Sequence, residues 1–159
     1  MRLVLLLFLC GILLACSSAP KFDTSQVDRA LTPKSVVADI KTAQGKTALW
    51  GGLILETKNL KQASQIEVLA YPLDSDGWPQ SEREPLGRFI IHHSGFLEPA
   101  TYAQGRTVTV LGVVSQTRSG KVGETDYTYP VINSTQLHLW AKDSRQNRSR
   151  FHFGIGIQL

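Results

Sequence analysis

Apolar and polar residues alternate with a period of two over much of this chain, the spacing that sends successive side chains to opposite faces of a β-strand. Residues 106–115 are the clearest case, with Val108, Val110 and Val114 in one phase around Gly112. Residues 64–71 put Ile66, Val68 and Ala70 on one side and Glu67, Leu69 and Tyr71 on the other, and Pro72 stops the run. Residues 87–93 are a third candidate strand. Residues 127–140 are another, with Leu137 and Leu139 opposite His138 and Trp140. At the end, Phe151, Phe153, Ile155, Ile157 and Leu159 alternate with Arg150, His152, Gly154, Gly156 and Gln158, which predicts a final strand with one buried face. Residues 47–58 carry Leu49, Trp50, Leu53, Ile54 and Leu55, but also Gly51 and Gly52. Paired glycines inside a strand predict a bulge or a sharp bend, which lets one strand serve two sheets of a small barrel.

Helix is expected in one place. Thr32 can cap it and Pro33 can take its first position, where a missing N–H costs nothing, so a short helix is predicted to about Thr42, with Gly45 turning the chain out of it. One helical turn fits near residues 98–102. Asp74, Ser75, Asp76 and Gly77, with Pro79 beyond, make a turn-rich loop that presents Trp78 as an exposed ring. Residues 116–126, with Gly120 and Gly123 among Arg118, Lys121, Glu124 and Asp126, read as an exposed, mobile loop. Short strands divided by Gly and Pro turns predict an all-β fold. The first choice is a small OB-like β-barrel of five strands, extended by a C-terminal strand, with a short N-terminal helix; the alternative is a β-sandwich.

The first residues follow another pattern. Met1 and Arg2 precede residues 3–14, apolar except for Gly11. Crossing a hydrocarbon core of ~30 Å takes roughly 20 helical residues, so this run has the build of a secretory signal and not of a membrane span. Leu13, Leu14, Ala15 and Cys16 then resemble the lipobox of bacterial lipoproteins. The resemblance implies cleavage before Cys16, a diacylglyceryl group on its sulfur and an acyl chain of the palmitate kind on the new amine. Several chains anchor lastingly where one does not. An ordinary signal peptide with a chance cysteine is the alternative. Ser17 in place of an Asp after the cysteine implies sorting to the outer membrane. Residues 1–15 are then the signal peptide, 16–31 the lipidated N-terminus and tether, and 32–159 one barrel domain.

Removing fifteen residues from 159 leaves 144, one domain with a modest core. Cys10 leaves with the signal and the Cys16 sulfur is spent on lipid, so no disulfide forms and stability must come from packing. Lys and Arg number 17 against 13 Asp and Glu; losing Arg2 leaves 16 against 13. That surplus suits an anionic membrane neighbourhood without demanding one. Lys142, Arg145, Arg148 and Arg150 cluster, either as a solvated loop or as a contact for phosphate-bearing lipid or glycan.

Taken together, Trp50-Gly51-Gly52, Gly87-Arg88-Phe89, the segment from Gly95 to Pro99, Gly105 to Val110 with Gly112, Gly120 to Pro130, and Leu137 to Trp140 resemble the Slp family of starvation-inducible outer-membrane lipoproteins. With Cys16 these stretches span most of the chain that remains after the signal. The resemblance implies an outer-membrane lipoprotein linked to starvation and envelope stress; the expectation adopted with it is a domain facing the periplasm. It implies no catalytic residues and no defined ligand.

The residues themselves offer little catalysis. The only remaining thiol goes to lipid, and no Gly-x-Ser-x-Gly elbow is present. His92 and His93 are adjacent on a strand and point apart, so with His138 and His152 they make a poor metal set. Glu98, Glu124 and Asp126 could serve as paired carboxylates only at suitable separations, and loop acids are usually just solvated. The expectation is therefore no enzyme, no metal and no cofactor beyond the covalent lipid on Cys16. Binding is the better prospect. Arg118, Lys121, Glu124, Asp126, Tyr127 and Tyr129 combine both charge signs with aromatic rings, and Trp78 is a second candidate contact. The alternative for the tyrosines is that they pack against the barrel rim. Expected partners are the outer-membrane bilayer and an envelope protein, or else a small polar ligand or glycan; nucleic acid is not expected.

Overall fold

The computed structural model describes residues 20–142; Cys16, the basic positions Arg145, Arg148 and Arg150, and the expected strand at 151–159 lie outside the described residues. Five strands, β1 (Thr47–Asn59), β2 (Ala63–Ala70), β3 (Gly87–Ser94), β4 (Thr107–Val122) and β5 (Thr125–Leu139), close into a barrel in the order β1-β2-β3-β5-β4. Neighbours are antiparallel except β3 and β5, which meet in parallel through Ile90↔Val131, Ile91↔Ile132 and His92↔Asn133. Ring closure decides for the OB-like barrel over the sandwich.

β1 serves both halves of the ring. It pairs with β4 through Thr47 to Leu53 and with β2 through Gly52 to Asn59. The register slips between Ile54 and Glu56, so the bulge lies beyond the glycines. What Gly52 supplies is clearance at the handover, where any Cβ would collide with the Leu69 carbonyl; at Gly51 a Cβ would come within 2.7 Å of Thr109 Oγ1.

The alternating phases seen in the sequence fill the interior. Ile54, Ile66, Val68, Phe89, Ile91, Val108, Val110, Val114 and Ile132 are fully buried, each such side chain contributing about 1.5–3 kcal/mol. Trp50 packs edge-on to Phe89, ring centroids 5.2 Å apart, and its Nε1 donates to the Leu31 carbonyl at 2.9 Å.

The predicted helix is two short ones. In α1 (Pro33–Ala38) Thr32 accepts from Ser35 N–H while the Ser35 hydroxyl accepts from Thr32 N–H, a reciprocal cap. Asp39 then leaves helical geometry, at φ −147°, and its carboxylate accepts from Thr42 N–H to start α2 (Ile40–Ala43). Val36 and Ala43 turn inward from these helices to join the core. Ahead of them the chain lies on the barrel: Gln136 Nε2 donates to the Lys21 carbonyl at 3.1 Å and Val27 bridges Thr47. Residues from Pro20 onward are thus docked, which shortens the free part of the expected tether.

Residues 116–126 are not the mobile loop their composition suggests. β4 and β5 pair continuously from Gln116↔Val131 to Val122↔Thr125, joined by a two-residue turn. Gly123 stands first in that turn with φ 60°, the conformation a type II′ hairpin turn needs and only glycine adopts freely.

Candidate binding surface

The outer part of the β4–β5 hairpin folds over the outward faces of β2 and β3. Tyr129 and Val131 bury Ile90, which points away from the main core, and Val122 and Tyr127 complete this small second cluster. Polar contacts pin it. Arg88 N–H donates to the Tyr127 hydroxyl at 2.8 Å, and the Tyr129 hydroxyl donates to the Lys121 carbonyl at 3.1 Å, with Glu67 Oε1 at 3.4 Å. Arg88 and Glu67 form an ion pair at 2.7 Å, and Arg118 donates to Gln65 Oε1 at 2.8 Å. Burial, then the neighbouring Glu67 charge, raises the Tyr129 pKa, so the phenol holds its proton. OB barrels commonly hold oligonucleotides or oligosaccharides on the β2–β3 face. Here much of that face is occupied by the chain's own hairpin.

The expected site residues therefore divide. Tyr127 and Tyr129 pack, as the alternative reading had it. Arg118 lies along the arm bonded to β2, while Lys121, Glu124 and Asp126 sit at its exposed tip. Composition missed Glu67, Arg88 and Ile90; the signal available was the period of two, which put Glu67 on the outward side of β2.

Trp78 is half-buried, correcting the expectation of an exposed ring. It packs at a tilt of 58° against Trp140, 4.9 Å between centroids; Trp140 meets His138 edge-on at 4.5 Å, and His138 meets Phe22 edge-on at 6.5 Å. Trp140 Nε1 donates to Thr109 Oγ1, which donates to the Gly77 carbonyl at 2.7 Å. Burial lowers the His138 pKa. This ladder covers the outer face of β4 and β5. Next to it, the segment from Pro20 and the β2–β3 loop enclose a cleft of about 800 Å³, lined by Phe22, Leu49, Tyr71, Asp74 and Arg29 among others.

Among the described residues no group of three or more His, Cys, Asp or Glu side chains could hold a metal ion. His93 Nδ1 is hydrogen-bonded to Ser134 Oγ at 2.8 Å. Glu98 follows the end of β3 whereas Glu124 and Asp126 flank the first residue of β5, and these strands run parallel, so Glu98 lies at the opposite end of the barrel from the other two.

The outer membrane lipoprotein Slp family matches residues 13–156. The chain belongs to that family. It is 30% identical to "Outer membrane protein Slp" of Escherichia coli over 138 residues, 86% of this chain and 73% of the relative. It is 33% identical to an uncharacterized protein of Haemophilus influenzae over 133 residues, 83% and 72% of the two chains. With the uncharacterized lipoprotein YeaY of E. coli it shares 31% over 96 residues, 60% of this chain and 49% of the relative. Among solved structures, a small single-stranded DNA-binding protein from Streptomyces coelicolor aligns over 60% of this chain and 94% of its own at 11% identity and a TM-score of 0.35, a likeness too slight to carry an argument. This Slp-type chain is an outer-membrane lipoprotein.

Proposed function

We propose that this Slp-type lipoprotein is a non-enzymatic envelope component, anchored through lipid on Cys16 and facing the periplasm, that works under starvation or stress as a structural or interaction module. The observation that carries the reading is the hairpin over the β2–β3 face. It fills the surface on which a barrel of this type would lay a polymeric ligand, and it makes a stiff arm whose tip displays Lys121, Glu124 and Asp126. A partner of complementary charge docks on that tip. The test is photo-crosslinking in cells from position 124, with buried position 110 as control. A discrete protein adduct from 124 and none from 110 supports docking, and its absence in both growing and starved cells removes it. The anchor is tested separately: Cys16→Ser should leave the outer-membrane fraction, and retention there after a salt wash overturns it.

The cleft beside Phe22 and Tyr71 favours a second reading, a binding protein for a small polar ligand or glycan. Saturable thermal stabilisation of the purified protein by envelope glycans, with no adduct from position 124, would replace the first reading with this one.

A further inference from the structure

Three large apolar side chains of the described residues are exposed, Val37, Leu60 and Phe96, by 40, 50 and 69%. Leu60 and Phe96 share one end of the barrel. Leu60 lies on the turn from β1 to β2 and Phe96 on the link leaving β3. The two loops are fastened together: Gly95 N–H donates to the Gln62 carbonyl at 3.1 Å, Asn59 Nδ2 to the Leu97 carbonyl at 2.9 Å, and Leu97 N–H to Ser64 Oγ at 2.9 Å. Ser64 is fully buried, with its hydroxyl against Asn59 Oδ1 and the Gly95 carbonyl. Leu97 turns into the core, which sends its neighbour Phe96 outward. A loop held this firmly presents the phenyl ring to its surroundings as a fixed feature.

We infer that this end of the barrel rests on the bilayer, with Phe96 and Leu60 inserted at the level of the headgroups. Three residues lie between Cys16 and docked Pro20, four steps that span at most ~14 Å of extended chain, so a lipid on Cys16 keeps the barrel against the membrane. At the resulting effective concentration a small contact suffices. A stable protein interface buries about 800 Å² on each partner, far more than two side chains supply, whereas a tethered domain needs only a wedge. The charges on these two loops nearly cancel, Lys58 pairing with Glu56 at 2.8 Å while exposed Lys61 and Glu98 add one charge of each sign, so the contact is apolar insertion and not attraction to anionic lipid. The orientation also fits the arm. The β1–β2 and β4–β5 turns close opposite ends of antiparallel strands, so lowering Leu60 onto the bilayer raises Lys121, Glu124 and Asp126 away from it.

The inference rests on the reading that Cys16 is acylated, and the experiment keeps the two apart. A nitroxide is placed on Gln62→Cys, beside the two apolar residues, or on Ser81→Cys in the β2–β3 loop, in the mature lipoprotein reconstituted into phosphatidylethanolamine–phosphatidylglycerol vesicles. The ratio of collisions with oxygen to collisions with a nickel chelate should be several-fold higher at 62 than at 81. It should be little changed by salt, and it should fall to the value at 81 when Leu60 and Phe96 are both replaced by Ser. Equal ratios at 62 and 81 overturn the inference. So does a label at 62 that is aqueous in vesicles yet protected in native outer membrane, which assigns the two residues to a protein partner. On Cys16→Ser the ratio at 62 should fall to the value at 81, because a contact this small needs the tether. With Cys16 shown by mass spectrometry to be acylated, equal ratios overturn insertion and leave the anchor standing, whereas an unmodified Cys16 overturns both.

Discussion

Tyr127 and Tyr129 on one outer face of the barrel, and Phe22, His138, Trp140 and Trp78 on another, both cover sheet that would otherwise meet water, but by different means. The tyrosines stand 4.8 Å apart on one hairpin, held by local strand pairing, and both hydroxyls are hydrogen-bonded. The ladder is assembled from the N-terminal segment, the β2–β3 loop and the end of β5, and it is fastened by a chain of two hydrogen bonds from Trp140 through Thr109 to Gly77. Order in the first follows from the hairpin forming. Order in the second needs three distant stretches in place at once, so the ladder is the cover that opens first when the N-terminal segment lifts.

Removing the ladder's centre should break the comparison most plainly. Trp140→Ala takes a buried indole from between Trp78 and His138 and should cost about 3–5 kcal/mol in urea denaturation. It should leave hydrogen exchange in the 116–130 hairpin at the level set by global stability. Tyr129→Phe keeps the ring but strands the Lys121 carbonyl, for about 1–2 kcal/mol, and hydrogen exchange should quicken in the hairpin before the ladder. Gly123→Ala forces a side chain into the positive-φ turn, for about 1–2 kcal/mol, again confined to the arm. The ladder alone should respond to mild acid. His138 has its pKa lowered by burial, so below its unfolded value, about 6.5, the unfolded chain binds a proton that the folded one resists. Its share of stability is therefore present above that pH and lost as pH falls through the folded value. His138→Gln should flatten the fall in urea midpoint between about pH 7.5 and about pH 5. Smallest is Arg118→Ala, an exposed contact with Gln65, which should change stability by less than ~0.5 kcal/mol.

The barrel itself was legible because each strand has one buried face, and a period of two survives wherever that holds. The double role of β1 could also be read, from Gly51 and Gly52, although the bulge proved to lie beyond them at Leu55. The arm was not legible. Arg118, Ser119, Gly120 and Lys121 are polar or small because neither face of β4 meets the main core there, and what orders them is Tyr129 reaching Ile90, a contact invisible in local spacing. Trp78 misled for a related reason: turn residues around it imply surface, while the ring that shelters it, Trp140, is far along the chain. The helix looked continuous because a break at Asp39 depends on a carboxylate capping its own next turn, which propensity does not register.

Beyond Ser115, β4 has β5 as its only strand neighbour among the described residues, which leaves a length of open sheet edge there. Molecules confined to a membrane plane meet at high surface density and with their long axes roughly aligned, the condition under which an open edge seeds sheet growth from copy to copy. That edge carries Arg118 and Lys121, and two cations brought against their own images repel. The cations along this edge thus weigh against pairing between crowded copies there.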